Sequence, residues 1–299
     1  MSRWIVSARR AADDVSGHPT LWLPGSLAWI ATVGWLVLLL GVAQPPSTAA
    51  LTFVGAGFYT SGAWPFNVIA VVAGGIGVLA LAVALFALGE AVLTRGSRAT
   101  PLHVLRTFTL ALACALPALI VLAGIGIAAF AVAPSEFNSP SDAGGGPVAR
   151  TAMRLLPGFI ALLVAVVGGA AMHAAASRKA GQGQSTLAAL ANAPRLLASA
   201  GWPSFVQPIA VLLVRVAYAG LAAVLLRVLW SPIDGRLLSA GMDAATLLLL
   251  VGFVAIWLCL VLAGGAVHAW GTLTWTRVLM STEPDTWPSR HGMETRGRL

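Results

Sequence analysis

The sequence predicts an all-α protein, a polytopic membrane helical bundle with six transmembrane helices. Of its residues, 58% are hydrophobic and only 9% are charged, whereas a soluble domain carries about 25% charged residues. Six apolar stretches are long enough to cross a bilayer, which takes about 20 residues. Segments rich in Pro, Gly, Ser and Asp separate these stretches and are typical of loops. The chain is therefore expected to lie in a membrane.

The pattern divides the chain into three parts. Residues 1–24 are expected to form an amphipathic interfacial helix, residues 25–280 a six-span domain, and residues 281–299 a polar, charge-rich and disordered cytoplasmic tail. "SPIDGRLLSAGMD" is expected to be the loop after the fifth span. The spans are predicted at 25–43, 68–93, 107–133, 155–172, 205–229 and 244–267.

The basic residues are divided unequally between the two sides of the predicted bundle. The N-terminus, the loops after spans two and four, and the tail together hold 13 of the 18 Arg and Lys residues. The positive-inside rule then places both termini in the cytoplasm, with the spans in the inner (plasma) membrane. These basic residues form no stripe with interleaved aromatics, so nucleic acid is not expected as a partner.

A similar amphipathic segment precedes each odd-numbered span. The second of these segments, "ATPLHVLRTFTLAL", has Thr100 as an expected N-cap and Pro101 at the first helical position. The pattern suggests three repeats of about 85–90 residues, each with an interfacial helix and two spans. The alternative is that any basic cytoplasmic loop before a membrane helix has this character.

The even-numbered spans carry polar residues at similar depths. "GGAAMHAAASR" and "GGAVHAWGTL" place a glycine pair before His173 and His268, and "ALGEAVLTR" contains Glu90. Since glycine pairs let helices approach closely, these three side chains are expected to point at one another. Interfacial polar residues with satisfied hydrogen bonds are the favoured interpretation, because each residue lies near the predicted cytoplasmic end of its span. A proton relay and a metal site, for which His173, His268 and Glu90 are weak candidate ligands, stay open.

The fifth span contains a charged residue, Arg215. Gln207, Arg215 and Tyr218 share a helical face that is expected to turn into the bundle. A structural ion pair with Glu90 is the favoured role of Arg215, ahead of snorkelling to headgroups. A third option is that Arg215 binds an anionic substrate, with Glu90, His173, His268 and Tyr218 as further candidate binding residues.

The hydrophobicity pattern resembles a known family. The six spans, the elbow "ARRAADDVSGHPTLWLPGSLAWI" and the glycine-rich even-numbered helices are similar to the YciC-type bacterial membrane proteins. They also resemble the membrane domain attached to some glycerophosphodiester phosphodiesterases. The resemblance covers roughly residues 5–280 and implies the fold rather than an activity, since the chain has no phosphodiesterase catalytic segment.

These observations lead to a functional expectation. Nucleotide-binding, metalloprotease and hydrolase motifs are absent from the sequence, and no cofactor and no catalytic residue are expected. The favoured hypothesis is a non-enzymatic inner-membrane protein, either transport-related or a scaffold, whose partners are membrane lipids, itself or other membrane subunits. The alternatives are a small transporter or lipid-handling protein that uses Arg215 and Glu90, and an intramembrane metalloenzyme.

Overall fold

A computed structural model describes residues 3–43, 57, 60–63, 66–95, 99–137, 146–201, 203–239 and 241–280. These residues are almost entirely helical, and the described ranges contain no strand. Six helical runs are long and apolar enough to cross a membrane: Pro19–Val42, Ile69–Thr94, Pro101–Ala129, Arg150–Gly181, Val206–Ser239 and Ala244–Leu279. The predicted all-α bundle with six spans is confirmed.

Nine α-helices follow one another along the described residues. They are α1 (Arg3–Gly17), α2 (Trp22–Trp29), α3 (Trp35–Val42), α4 (Phe66–Arg95), α5 (Pro101–Phe137), α6 (Gly146–Gly181), α7 (Thr186–Ala200), α8 (Pro203–Ser239) and α9 (Ala244–Met280). A 3₁₀ turn precedes α2, and a π-helical turn over Ile30–Gly34 joins α2 to α3, so these pieces form the first span.

Two of the three predicted interfacial helices are separate elements. Helix α1 ends at Gly17, and helix α7 ends before Gly201, which has a positive φ of 67°. The second predicted interfacial helix is not a separate element, because α5 runs unbroken from Pro101 through the third span. Thr100 and Pro101 do begin this helix as predicted, but no separate interfacial helix precedes it among the described residues.

Several helices extend beyond the predicted ends of their spans. Helix α6 continues to Gly181, and α9 continues to Met280. Helix α8 runs through Pro232 to Ser239, so most of the stretch predicted as the loop after the fifth span is helical. Ile233 is 1% exposed, and its burial in the core outweighs the local helix-breaking tendency of the neighbouring proline. The predicted tail, residues 281–299, lies outside the described residues.

Helix α1 packs against the end of α9. The indole nitrogen of Trp270 donates a hydrogen bond to the carbonyl of Ala8 at 3.0 Å, and Arg277 forms an ion pair with Asp14. The N-terminal helix and the C-terminal end of α9 therefore lie at the same end of the bundle, which we call the α1 end.

Glycines bring the first span against its neighbours. A Cβ added at Gly265 of α9 would overlap the backbone carbonyl of Trp22 and lie 2.5 Å from the backbone nitrogen of Ser26. A Cβ at Gly89 of α4 would lie 2.5 Å from the carbonyl oxygen of Pro24. The hydroxyl of Ser26 also donates to the carbonyl of Val261 at 3.2 Å. These glycines permit close helix approach, but to the first span and not, as the sequence predicted, between the even-numbered spans.

An apolar cluster fills the half of the bundle that lies away from α1. It joins α2, α3, α8 and α9, and we call it the distal apolar cluster. Its buried members are Trp29, Val37, Ala222, Leu226, Ile233, Phe253 and Val261.

Asp243 caps helix α9 outside the spans. Its carboxylate accepts a hydrogen bond from the backbone N–H of Thr246 at 2.7 Å and pairs with Arg236 at 3.2 Å. Hydrogen bonds from Thr246 and from Arg236 lower the pKa of Asp243 from 3.8 to about 2.

Asp243→Ala is therefore expected to reduce thermal stability at neutral pH and to have a much smaller effect at pH 2. A depressed pKa in the folded state means that the stabilisation is present above pH 4 and is lost as the pH falls toward 2. Melting curves of both proteins between pH 7 and pH 2 test this expectation. A difference in melting temperature that does not change with pH would contradict it.

Candidate functional site

Glu90 and His268 meet between two spans. Nε2 of His268 lies 2.7 Å from Oε1 of Glu90, and the two side chains belong to α9 and α4. The hydroxyl of Thr272 donates to the same carboxylate oxygen at 2.8 Å. Glu90 is 7% exposed and His268 is 0% exposed. An ionised carboxylate only accepts hydrogen bonds, so the His268 tautomer that fits this contact carries its proton on Nε2.

His173 completes the predicted set of three from the neighbouring helix α6. The ring of Phe86 lies between the two imidazoles, with its centroid 5.4 Å from that of His173 and 5.9 Å from that of His268. Nε2 of His173 lies 3.4 Å from the hydroxyl of Ser177. The structure thus brings Glu90, His173 and His268 into one region, in which Glu90 and His268 are in direct contact.

Arg215 does not form the expected ion pair with Glu90. Its Nη2 donates to the backbone carbonyl of His268 at 3.4 Å, and no carboxylate lies within ion-pair distance of it among the described residues. Arg215 acts on Glu90 only through longer-range electrostatics. A Cβ at Gly271 would lie 3.1 Å from Nη2, so the missing side chain at Gly271 leaves room for the guanidinium against α9. Snorkelling does not describe this contact, because the guanidinium ends on a neighbouring helix.

The face of α8 that contains Arg215 turns into the bundle, as predicted. The hydroxyl of Tyr218 donates to the carbonyl of Leu260 at 2.6 Å, and its ring packs edge-on against Trp29 at 5.8 Å. Gln207 is 2% exposed. Tyr218 is therefore held by α2 and α9 about one turn away from Arg215, and it makes no contact with Glu90 among the interactions of the described residues.

Several buried polar atoms of this region have no hydrogen-bond partner among the described residues. They are Nδ1 of His268, Nε of Arg215 and both amide heteroatoms of Gln207. An unpaired buried polar group costs about 1–3 kcal/mol. Buried polar groups of this kind commonly bind ordered water or take part in function.

His268 lies far from the end of its helix, whereas Glu90 lies near the end of α4, which stops at Arg95. Helix α9 continues for twelve residues beyond His268, to Met280, which is about 18 Å of helix. His268 is also fully buried by its neighbours. The amphipathic segment that follows the apolar stretch therefore continues the same helix beyond the predicted end of the sixth span.

A polar cavity adjoins the site at the α1 end. It lies between α4, α5 and α6 and has a volume of about 40 Å³. Glu90 lines it together with Thr94, Arg106, Thr107 and Ser177. Glu90 thus contacts His268 on one side and this cavity on the other.

The donor set gives no support to a metal site. Within the described ranges, no three His, Cys, Asp or Glu side chains are arranged to hold a metal ion. Oε1 of Glu90 is already occupied by hydrogen bonds from His268 and Thr272. The arrangement offers proton exchange rather than Lewis-acid chemistry.

Sequence reasoning missed three neighbours of the site. Thr272 lies four residues after His268, and Phe86 lies four residues before Glu90, so helical spacing puts each of them on the same face as its partner. Arg106 was counted as a loop charge but lines the cavity. The spacing could have identified Thr272 and Phe86, whereas finding Arg106 required knowing that α5 is continuous.

The fold and the site together define a class, an all-α multi-pass membrane protein with a buried carboxylate–imidazole pair between two spans. No protein-family model, no curated protein and no solved structure matches this chain. The argument for function therefore relies on the site itself.

Proposed function

We propose that the protein is a transport-related, non-enzymatic component of the bacterial inner membrane, with both termini in the cytoplasm. Glu90, His268 and Arg215 form its working site. The proposed relation to YciC-type membrane proteins agrees with this assignment, because it implies a membrane fold without a catalytic segment.

The contact between Glu90 and His268 carries the proposal. Ionisable residues within membrane spans are rare because they are costly to insert, and those that occur commonly mark ion pathways, proton relays or substrate sites. Here a carboxylate and an imidazole from different helices meet at 2.7 Å inside otherwise apolar spans. Both groups exchange protons readily, so the pair is suited to proton-linked transport.

Two observations support the proposed orientation. The ion pair between Arg277 and Asp14 keeps the N-terminal helix and the end of α9 together. An even number of spans likewise puts the two ends of the bundle's chain on the same side of the membrane. The excess of Arg and Lys in the segments at this end favours the cytoplasmic side.

A scaffolding role is the second candidate, and the exposed surface of α4 favours it. Gly74, Gly75 and Gly77 have open space around them within the described part of the chain. Ile76 and Val78 beside them are 63% and 69% exposed. Small residues on an apolar helix permit close packing of another membrane helix, either from a second copy or from another membrane subunit.

Glu90→Gln is expected to abolish function without loss of protein. The amide oxygen can still accept hydrogen bonds from His268 and Thr272, but the side chain no longer binds and releases a proton. The measurement is complementation of a deletion strain, with membrane abundance determined in parallel. Arg215→Gln is expected to behave in the same way, because it removes the charge next to His268.

Asp243→Asn is the matched control, since it makes the same change from acid to amide on an exposed loop. It is expected to complement fully. Full complementation by Glu90→Gln at normal abundance would overturn the transport proposal and favour the scaffold.

A further inference from the structure

The cavity between α4, α5 and α6 reaches the carboxylate of Glu90 from the α1 end. Thr94 lies near the end of α4, and Gly181, the last residue of α6, is also part of the lining. Leu110 of α5 lines the cavity as well, although it is only 1% exposed to bulk solvent. The cavity therefore extends from the helix ends into the buried part of the bundle.

The two oxygens of Glu90 have different surroundings. Oε1 accepts the hydrogen bonds from His268 and Thr272. No hydrogen bond to Oε2 is found within the described ranges, and Oε2 is also not among their buried unpaired atoms. Glu90 lines the cavity, and Oε2 is its carboxylate oxygen that has no hydrogen bond in the described part of the chain.

The cavity lining suits water. The hydroxyl protons of Thr94 and Thr107 are used within their own helices, in bonds of 2.8 Å and 2.9 Å to the carbonyls of Glu90 and His103. Their oxygen lone pairs remain available to the hydrogens of water, and Arg106 supplies donors. A buried water needs two to four polar partners and at least about 10–15 Å³. A volume of about 40 Å³ accommodates a few water molecules.

We propose that this cavity is a hydrated route that carries protons between the α1 end of the bundle and Oε2 of Glu90. The inference rests on the proposed role of Glu90 as part of the working site. In the forward step a hydronium ion in the cavity transfers a proton to Oε2, leaving one water molecule and a neutral carboxyl group. In the reverse step a water molecule takes this proton back.

The hydrogen bonds around Glu90 are compatible with this exchange. When Oε2 is protonated, Oε1 still accepts from His268 and Thr272, so the helix contact persists through both steps. The charged and titratable groups around Glu90 and the cavity are His268 on α9, His173 on α6, Arg215 on α8, and His103 and Arg106 on α5.

The route is open toward one end of the bundle only. Beyond His268 and Arg215, the distal apolar cluster fills the space between α2, α3, α8 and α9. Trp29, Leu226 and Ile233 of this cluster are each at most 1% exposed. This mostly apolar packing offers water few hydrogen-bond partners, the unpaired indole nitrogens of Trp29 and Trp257 being the exceptions.

Radiolytic hydroxyl-radical footprinting of the full chain in lipid nanodiscs tests the route. Radicals formed from water inside a protein oxidise the side chains next to that water. Leu110 is expected to be oxidised at least tenfold faster than Leu226, a leucine that is equally buried but lies in the distal apolar cluster. Thr107→Leu fills the cavity, and we expect it to reduce the oxidation of Leu110 to the rate of Leu226.

Equal rates at Leu110 and Leu226 in the unaltered protein would overturn the inference, and this comparison needs no variant to fold. Rapid oxidation of Leu110 that persists in Thr107→Leu would also overturn it. The outcome is independent of complementation by Glu90→Gln. If Leu110 is oxidised rapidly and Glu90→Gln complements fully, the transport function is refuted and the hydrated route stands. If Leu110 is oxidised as slowly as Leu226 and Glu90→Gln fails to complement, the route is refuted and the transport function stands.

Discussion

Gly265→Ala is expected to lower the free energy of unfolding by about 3 kcal/mol or more. A methyl group at this position overlaps the backbone of α2 at Trp22 and Ser26, and backbone cannot move aside as a flexible side chain can. Overpacking of a well-packed interior typically costs about 1–3 kcal/mol. Reversible unfolding in mixed micelles, followed by tryptophan fluorescence, measures the loss.

Gly252→Ala is the matched control on the same helix. A Cβ added at Gly252 would have no atom of a neighbouring helix within 4 Å in the described part of the chain. Alanine there is expected to be neutral or to stabilise the protein by less than about 1 kcal/mol, because alanine favours helix over glycine. Equal stability of the two variants would show that α2 and α9 do not pack closely at Gly265.

Glu90→Ala and His268→Ala are each expected to cost about 2–3 kcal/mol of stability. Each substitution leaves the partner group buried without its hydrogen bond, and an unpaired buried group carries its full desolvation penalty. The double variant removes both groups and is expected to be at least about 1 kcal/mol more stable than the two separate losses predict. The measurement is the free energy of unfolding of the unaltered protein, the two single variants and the double variant, which together form a double-mutant cycle.

A cycle that combines Glu90→Ala with Thr109→Ala provides the control. Thr109 lies on the exposed surface of α5, and its hydroxyl donates to the carbonyl of Leu105 within its own helix at 2.9 Å. The two losses in this second cycle are expected to add. Additive losses for Glu90 and His268 as well would refute a direct contact between them.

The fold was largely predictable because apolarity over about 20 residues is a local signal. The ends of the helices were not predictable in this way. Pro232 and Gly235 indicated a loop, yet α8 continues through them to Ser239. The helix continues because Ile233 is buried against its neighbours. Such tertiary packing cannot be predicted from a short segment of the sequence.

The site was predictable in part for a similar reason. The similar positions of Glu90 and His268 in their spans indicated that they approach each other, although the glycines expected to bring the two helices together pack against the first span instead. The partner of Arg215 depends on how α8 is rotated against α9. That rotation follows from contacts such as Val211 and Arg215 against Gly271, which no single segment of the chain contains.

The pairing of α2 with α9 also constrains how the polypeptide is made. The ribosome delivers α2 to the membrane long before α9, and four other spans are inserted in the interval. During that time Gly25 and Ser26 lack the partner helix that covers them in the finished protein. Biogenesis is therefore completed only after α9 has entered the bilayer and docked, and the face of α2 that contacts Gly265 lacks its partner helix until then.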